Sequence, residues 1–83
     1  MSRKVNEIAK EIRSDWKPVH DWAVPYLEAM DVIEDVTDRY YEDSASSVIR
    51  YFLGNARTWK GDVARRVKKE LNELIEGVYY WTG

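Results

Sequence analysis

Apolar side chains recur at helical spacing in four stretches of the chain. The first stretch predicts an amphipathic helix from about Ser2 to Asp15, which Pro18 ends. Its apolar face comprises Val5, Ile8, Ala9, Ile12 and Trp16. The second stretch begins at Pro25, a residue suited to a first helical position, and predicts a helix as far as Tyr41. Its apolar face comprises Tyr26, Met30, Ile33, Val36, Thr37 and Tyr40.

Two further helices follow a polar cluster at residues 42–47. That cluster interrupts the pattern and offers Asp43 or Ser44 as the N-cap of a third helix. The inner face of this helix comprises Ala45, Val48, Ile49, Phe52, Leu53 and Ala56. Thr58 is predicted to cap a fourth helix, whose end we expect to fray at Gly77. Its apolar stripe comprises Val63, Val67, Leu71, Leu74, Ile75 and Val78.

No segment shows the alternation of period two that marks a strand with one buried face. The chain of 83 residues is also of the size of one small domain. We therefore predict an all-α fold, a compact bundle of about four helices that forms a single domain over residues 1–83. Residues 77–83 are rich in aromatic side chains and could instead form an extended tail.

Composition narrows the class of protein. There is no cysteine, which excludes disulfides, thiolate metal sites and a cysteine nucleophile. The N-terminal residues 1–10 carry charges without a continuous apolar stretch, unlike a signal peptide, and no window reaches the 18 apolar residues of a membrane span. We expect a cytoplasmic location.

The net charge of −2 conceals a separation of charge along the chain. Residues 14–43 carry a net charge of −7, and residues 44–69 carry +6. In the predicted second helix, five acids would form a ridge within an arc of about 80° at 100° per residue. They are Glu28, Asp31, Asp35, Asp38 and Glu42. Such a ridge is typical of a solvated outer face, and mimicry of nucleic acid is the alternative.

The basic half suggests phosphate binding. The third and fourth helices could form a helix-turn-helix whose cations meet phosphates, namely Arg57, Lys60, Arg65 and Lys69. The pattern is also that of an ordinary exposed helix, since Arg66 with Glu70 and Lys69 with Glu73 are oppositely charged pairs four residues apart. The isoelectric point of about 5.4 also argues against avid DNA binding.

The sequence gives little support for a catalytic role. His20 is the single histidine, and with Asp21 and Ser14 it supplies the residue types of a hydrolase triad without evidence of the geometry. The sequence has no Gly-x-Ser-x-Gly elbow, no Glu-x-x-His pair and no phosphate-binding glycine loop. We expect a protein that is not an enzyme and uses no cofactor or metal.

Aromatic residues are the remaining candidates. Trp16, Trp22 and Trp59 lie at predicted helix ends or connections, where tryptophan usually plugs the core. The terminal Tyr79, Tyr80 and Trp81 either fold back onto the bundle or form an interface. The candidate interface therefore comprises Arg57, Trp59, Lys60, Tyr79, Tyr80 and Trp81.

One segment, residues 47–71, contains a motif with a known likeness. It reads Tyr-Phe-Leu-Gly-Asn-Ala-Arg-Thr-Trp-Lys-Gly over residues 51–61, and it is preceded by Asp15-Trp16 and by Pro-Tyr-Leu-Glu-Ala-Met over residues 25–30. These segments resemble a family of small, uncharacterised proteins encoded by phages and prophages, over about Ile12 to Leu71. Gly54 stands where the family has a small polar residue. The resemblance implies a viral or prophage origin and supplies no catalytic residues.

These observations predict a protein that acts by binding rather than by catalysis. The expected partner is a host or phage protein, or a second copy of the chain in a homodimer, in the host bacterial cytoplasm. The alternative is a role related to nucleic acid, through phosphate binding by the basic half or mimicry by the acidic ridge.

Overall fold

Four α-helices pack around one apolar core in the part of the chain that the structure describes. The structure is a computed structural model, which describes the backbone of residues 3–35, 37, 39–40 and 43–82 and the side chains of residues 3–35, 37 and 44–76. The helices are α1 (Val5–Asp15), α2 (Val24–Asp31), α3 (Ala45–Gly54) and α4 (Asp62–Thr82). They confirm the predicted all-α class.

Helix α1 follows the predicted apolar face closely. Its N-terminus lies at Val5 rather than Ser2, and the Val5 N–H donates to the carbonyl oxygen of Glu34 at 2.9 Å. This bond satisfies one of the N–H groups that the first turn of a helix leaves without an internal partner. Helix α1 ends at Asp15, which confirms the predicted end.

Helix α2 is much shorter than its sequence pattern predicts. It ends at Asp31 after eight residues, so the prediction of a helix to Tyr41 was wrong. Val32 and Ile33 are β-branched, which disfavours helix, and Ile33 is buried in the core just beyond the helix end. The carbonyl of the next residue, Glu34, then accepts the bond from α1. Packing against α1 therefore takes the chain out of the helix.

A short pair of antiparallel strands precedes α3. Strand β1 (Arg39–Tyr40) pairs with β2 (Asp43–Ser44), with Arg39 opposite Ser44. Two residues a strand are too few to give a periodic signal, so the sequence did not predict them. Ser44 is the N-cap of α3, and its hydroxyl oxygen accepts from the Ser47 N–H at 3.2 Å. Of the two predicted N-caps, Asp43 and Ser44, the structure has Ser44.

Helix α4 differs from the prediction at both ends. It starts at Asp62, so Thr58 does not cap it. Gly61 directly precedes it with a φ of 114°, a conformation that glycine adopts without strain, and the Gly61 carbonyl accepts from the Arg65 N–H at 3.0 Å. Residues 55–61 thus form a connection between α3 and α4. The helix runs through Gly77 to Thr82, so the expected end at Gly77 and an extended tail were wrong.

The core holds two of the three tryptophans proposed for it. Trp16 and Trp59 are stacked, with ring centroids 5.7 Å apart and an interplanar angle of 12°, and Phe52 meets Trp16 edge-on at 6.2 Å. Their burial confirms the prediction for both residues. Trp22, in contrast, is 72% exposed, so the expectation that it plugs the core was wrong.

Phe52→Ala tests this core, because Phe52 is the largest of its completely buried side chains. We expect the free energy of unfolding to fall by about 3–5 kcal/mol, since the lost apolar burial is added to the cost of a cavity. Tyr51→Ala on the same helix is the control, because Tyr51 is 54% exposed, and it should cost about 1 kcal/mol or less. Urea denaturation measures both values, and equal losses would contradict the packing described.

Candidate functional site

One group of charges joins α1 to α4. The Arg3 guanidinium lies 2.6 Å from the Glu70 carboxylate and 2.7 Å from that of Glu11, and Arg66 also donates to Glu11. Arg66 and Arg3 hold the pKa of the Glu11 carboxyl below its usual value. The expected pair of Arg66 with Glu70 is therefore wrong, since each of the two pairs with another residue. We call these four residues the α1–α4 seam.

A second group of cations surrounds the start of α4, and we call it the α4-start cations. Its members are Arg57, Lys60, Arg65, Lys68 and Lys69. Asp62 lies 3.8 Å from Arg65, and both of these side chains are more than 80% exposed, so the pair is weak. Within the described residues, Arg57, Lys60 and Lys69 make no ion pair. This end of the bundle therefore carries a concentrated positive charge.

Three of these cations line a shallow depression of about 300 Å³. Its lining comprises Trp59, Lys60, Gly61, Ala64, Arg65 and Lys68. The Lys68 ammonium donates to the Trp59 carbonyl at 2.6 Å and lies 5.8 Å from the centroid of the Trp59 ring. Burial lowers the pKa of Lys68, and the nearby charge of Lys60 lowers it further. Positive charges are thus held close to one another here.

Trp59 itself is not available for binding. Its side chain is 2% exposed, and its indole N–H donates to the Asp15 carboxylate at 2.8 Å. The prediction that Trp59 belongs to an interface was therefore wrong, because its ring is used in the core. Of the other predicted interface residues, Arg57 and Lys60 are exposed, close together in sequence on the 55–61 connection. The side chains of Tyr79, Tyr80 and Trp81 lie outside the described ones.

An aromatic surface borders the same connection. A depression of about 230 Å³ is lined by His20, Trp22, Gly54, Asn55, Arg57 and Thr58. The Trp22 N–H donates to His20 Nδ1 at 3.1 Å, and the two rings meet edge-on at 5.9 Å. Ala23, the next residue, is completely buried and anchors this segment.

Two tyrosines extend this surface along α2 and α3. The Asn55 side-chain amide donates to the Tyr51 carbonyl at 2.8 Å, and the Tyr51 ring lies 5.6 Å from that of Tyr26. Tyr51 is 54% exposed. We call this set the Trp22 surface, and it comprises His20, Trp22, Tyr26, Tyr51, Asn55 and Arg57. One feature of the sequence indicates that Trp22 could be exposed, since it lies outside every periodic apolar face.

The predicted acidic ridge does not form a single helix face. Glu28 and Asp31 lie on α2, where Asp31 pairs with Arg13, but the helix ends there. Asp35 lies beyond it and accepts from the Thr37 N–H at 3.3 Å, while Asp38 and Glu42 lie outside the described residues. The acids that the structure describes therefore do not all lie on one helix, and mimicry of nucleic acid by the ridge stays a prediction.

The structure does not assemble a catalytic triad around His20. Its Nδ1 accepts from a backbone N–H, and both Ser14 and Asp21 are exposed. Among the described side chains, no three histidines and carboxylates are placed to hold a metal ion. In the described part of the chain, no helix is long and apolar enough to cross a bilayer.

Comparison with known proteins gives no further guide. No protein-family model, no curated protein and no solved structure matches the chain. The resemblance to phage proteins therefore stays a prediction.

Glu11→Gln tests the α1–α4 seam through its dependence on pH. Because the folded-state pKa of Glu11 is lowered, its contribution to stability is complete above the unfolded-state value of about 4.3 and is lost as the pH falls through the folded-state value. We expect wild type to lose more stability between pH 7 and pH 3 than the variant does. Urea denaturation at both pH values measures this difference. An equal loss in both proteins would contradict the ion pairs.

Proposed function

We propose that this chain is a small, non-enzymatic interaction protein that binds a macromolecule through the Trp22 surface. The observation that carries the proposal is the exposure of Trp22. The bundle buries Trp16 and Trp59 almost completely, yet leaves 72% of Trp22 in solvent. Exposed apolar patches with a polar rim mark sites of binding, and Trp22 forms such a patch with the adjoining His20 ring, beside Asn55 and Arg57.

The composition of the Trp22 surface supports this role. Tryptophan, tyrosine and arginine are the residues that contribute most to binding at interfaces, and Trp22, Tyr51 and Arg57 supply all three. The backbone beneath Trp22 is also held, because the Ala23 N–H donates to the His20 carbonyl at 2.9 Å. A surface whose backbone is already ordered loses less entropy when it binds.

The likeness to phage proteins supports a setting for this activity. We propose that the chain acts in the cytoplasm of a bacterial host and binds a host or phage macromolecule, or a second copy of itself. The opposite charges of residues 14–43 and of the α4-start cations would favour pairing between copies. A protein, a second copy and a nucleic acid would all meet the same surface, and they differ in the charge they bring to it.

Trp22→Ala tests the proposal in a pull-down of the tagged protein from bacterial lysate, with and without nuclease, alongside light scattering for self-association. We expect binding to fall about tenfold or more, because a central tryptophan contributes about 2 kcal/mol or more at an interface. The free energy of unfolding should change by about 0.5 kcal/mol, since Trp22 is mostly exposed.

Val32→Ala is the matched control. Val32 is a 68% exposed apolar residue that directly follows α2, at the end of the helix opposite Trp22. It should leave both binding and stability close to those of wild type. If Trp22→Ala retains every partner and the mass of wild type, the proposed function is wrong.

A further inference from the structure

The Trp22 surface and the α4-start cations border the same short connection. Arg57 and Thr58 line the depression beside Trp22, while Trp59, Lys60 and Gly61 line the cationic one. We propose that the two together bind single-stranded nucleic acid, with a base stacked on Trp22 and the backbone phosphates at Arg57, Lys60 and Arg65. This inference rests on the proposed function and names the partner of its surface.

Trp22 is suited to stacking by its exposure and by the way its neighbour contacts it. The His20 ring stands at 74° to the indole, so the two rings do not cover each other face to face. A base has the same flat aromatic shape, and base stacking on such side chains is largely independent of sequence. In a duplex each base is already stacked on its neighbours, so a stacking tryptophan favours a single strand.

The cations are placed where the phosphates of such a strand would lie. Arg57 is in the depression of Trp22 itself, and Lys60 and Arg65 continue the positive charge across the connection. A groove of cations beside an exposed aromatic side chain is the usual arrangement of proteins that bind single strands. Lys60, Arg65 and Lys68 line one depression, so their like charges repel one another, and the phosphates of a bound strand would offset that repulsion.

The acidic residues are distributed so that they oppose this binding only weakly. Two carboxylates are exposed near the site, Asp21 beside Trp22 and Asp62 beside Arg65. Glu11 and Glu70 are paired within the α1–α4 seam, and the Asp15 carboxylate accepts from Trp59. Since salt limits the reach of exposed charges to about 10 Å, the local cations outweigh the net charge of −2.

An acidic protein is the other partner that such charges could attract. Lysine is depleted at protein interfaces, because its long, strongly hydrated side chain is costly to immobilise there. The α4-start cations include three lysines, Lys60, Lys68 and Lys69. Lysines that track a line of phosphates keep their contact with water, so this composition favours nucleic acid.

The experiment measures the fluorescence anisotropy of a labelled oligothymidylate of about 10 nucleotides, a length within the range that one small domain covers. Purified full-length chain is titrated in at low salt, and a duplex of the same length is titrated in parallel. We expect micromolar binding of the single strand and weaker binding of the duplex. A plot of the logarithm of the association constant against the logarithm of the salt concentration should have a slope of about −2, which corresponds to about three phosphate contacts.

Four variants separate stacking from charge. Trp22→Ala should weaken binding about tenfold with the salt slope kept, and Trp22→Phe should restore most of the affinity, because a phenyl ring also stacks. Lys60→Glu should weaken binding by a similar factor and make the slope shallower. Lys10→Glu is its matched control, since Lys10 is exposed on α1 and the same change in net charge there should alter affinity less than twofold.

Several results would overturn the inference. They are the absence of binding at low salt and micromolar protein, equal affinity for the duplex, full affinity in Trp22→Ala, and an equal effect of Lys10→Glu and Lys60→Glu. A protein partner that survives nuclease and is lost in Trp22→Ala, with no binding of the oligonucleotide, would overturn this inference and leave the proposed function standing. If Trp22→Ala still binds both the protein partner and the oligonucleotide, the inference and the proposed function are both wrong.

Discussion

The stacked pair of Trp16 and Trp59 is the contact on which the rest of the structure depends. Trp16 directly follows α1, and Trp59 lies in the 55–61 connection, so their contact fixes the connection against the end of the first helix. The hydrogen bond from the Trp59 indole N–H to Asp15 satisfies the one polar group of this ring, which burial would otherwise leave without a partner. The connection is therefore held by its side chain although it has no regular secondary structure.

That contact also determines which face of the connection is available to a partner. With Trp59 turned inward, the neighbouring Arg57 and Lys60 are left exposed. The Trp59 carbonyl in turn holds the Lys68 ammonium, which draws the start of α4 toward the connection. The same packing that completes the core thus gathers positive charge beside Trp22. Elsewhere, cations such as Arg3 and Arg66 are used to join helices.

Periodicity in the sequence was enough to predict the apolar faces of α1 and α3 and the all-α class, because these depend on spacing within single helices. The face predicted for the second helix was wrong in part, since Thr37 is exposed and Leu27 is buried. It failed where a contact between distant segments decides the outcome. Helix α2 stops at Asp31 because Ile33 and Glu34 are needed against α1, and an amphipathic pattern looks the same whether or not the chain stays helical. The start of α4 depends on Gly61, whose backbone conformation leaves no periodic trace.

The candidate site was predicted in part. Arg57 and Lys60 are exposed, as a charged segment between two helices should be, but Trp59 next to them is buried. Trp22 and Trp59 both lie in connections, and composition does not distinguish a tryptophan that fills a core from one that faces solvent. The burial of Trp59 arises from contacts with residues far away in sequence, the ring of Trp16 and the carboxylate of Asp15. Trp22 contacts neither of these residues.

The α1–α4 seam has a consequence for the order in which the chain can fold during its synthesis. The ion pair of Arg3 with Glu70 joins residues separated by 67 positions, so Arg3 cannot acquire this partner until most of the chain has left the ribosome. Trp16 likewise waits for Trp59. Contacts of such long range slow folding, since a large loop has to close before they form. Helices α1 and α2, which also pack against each other, therefore emerge before the partners that complete the cover of their apolar faces.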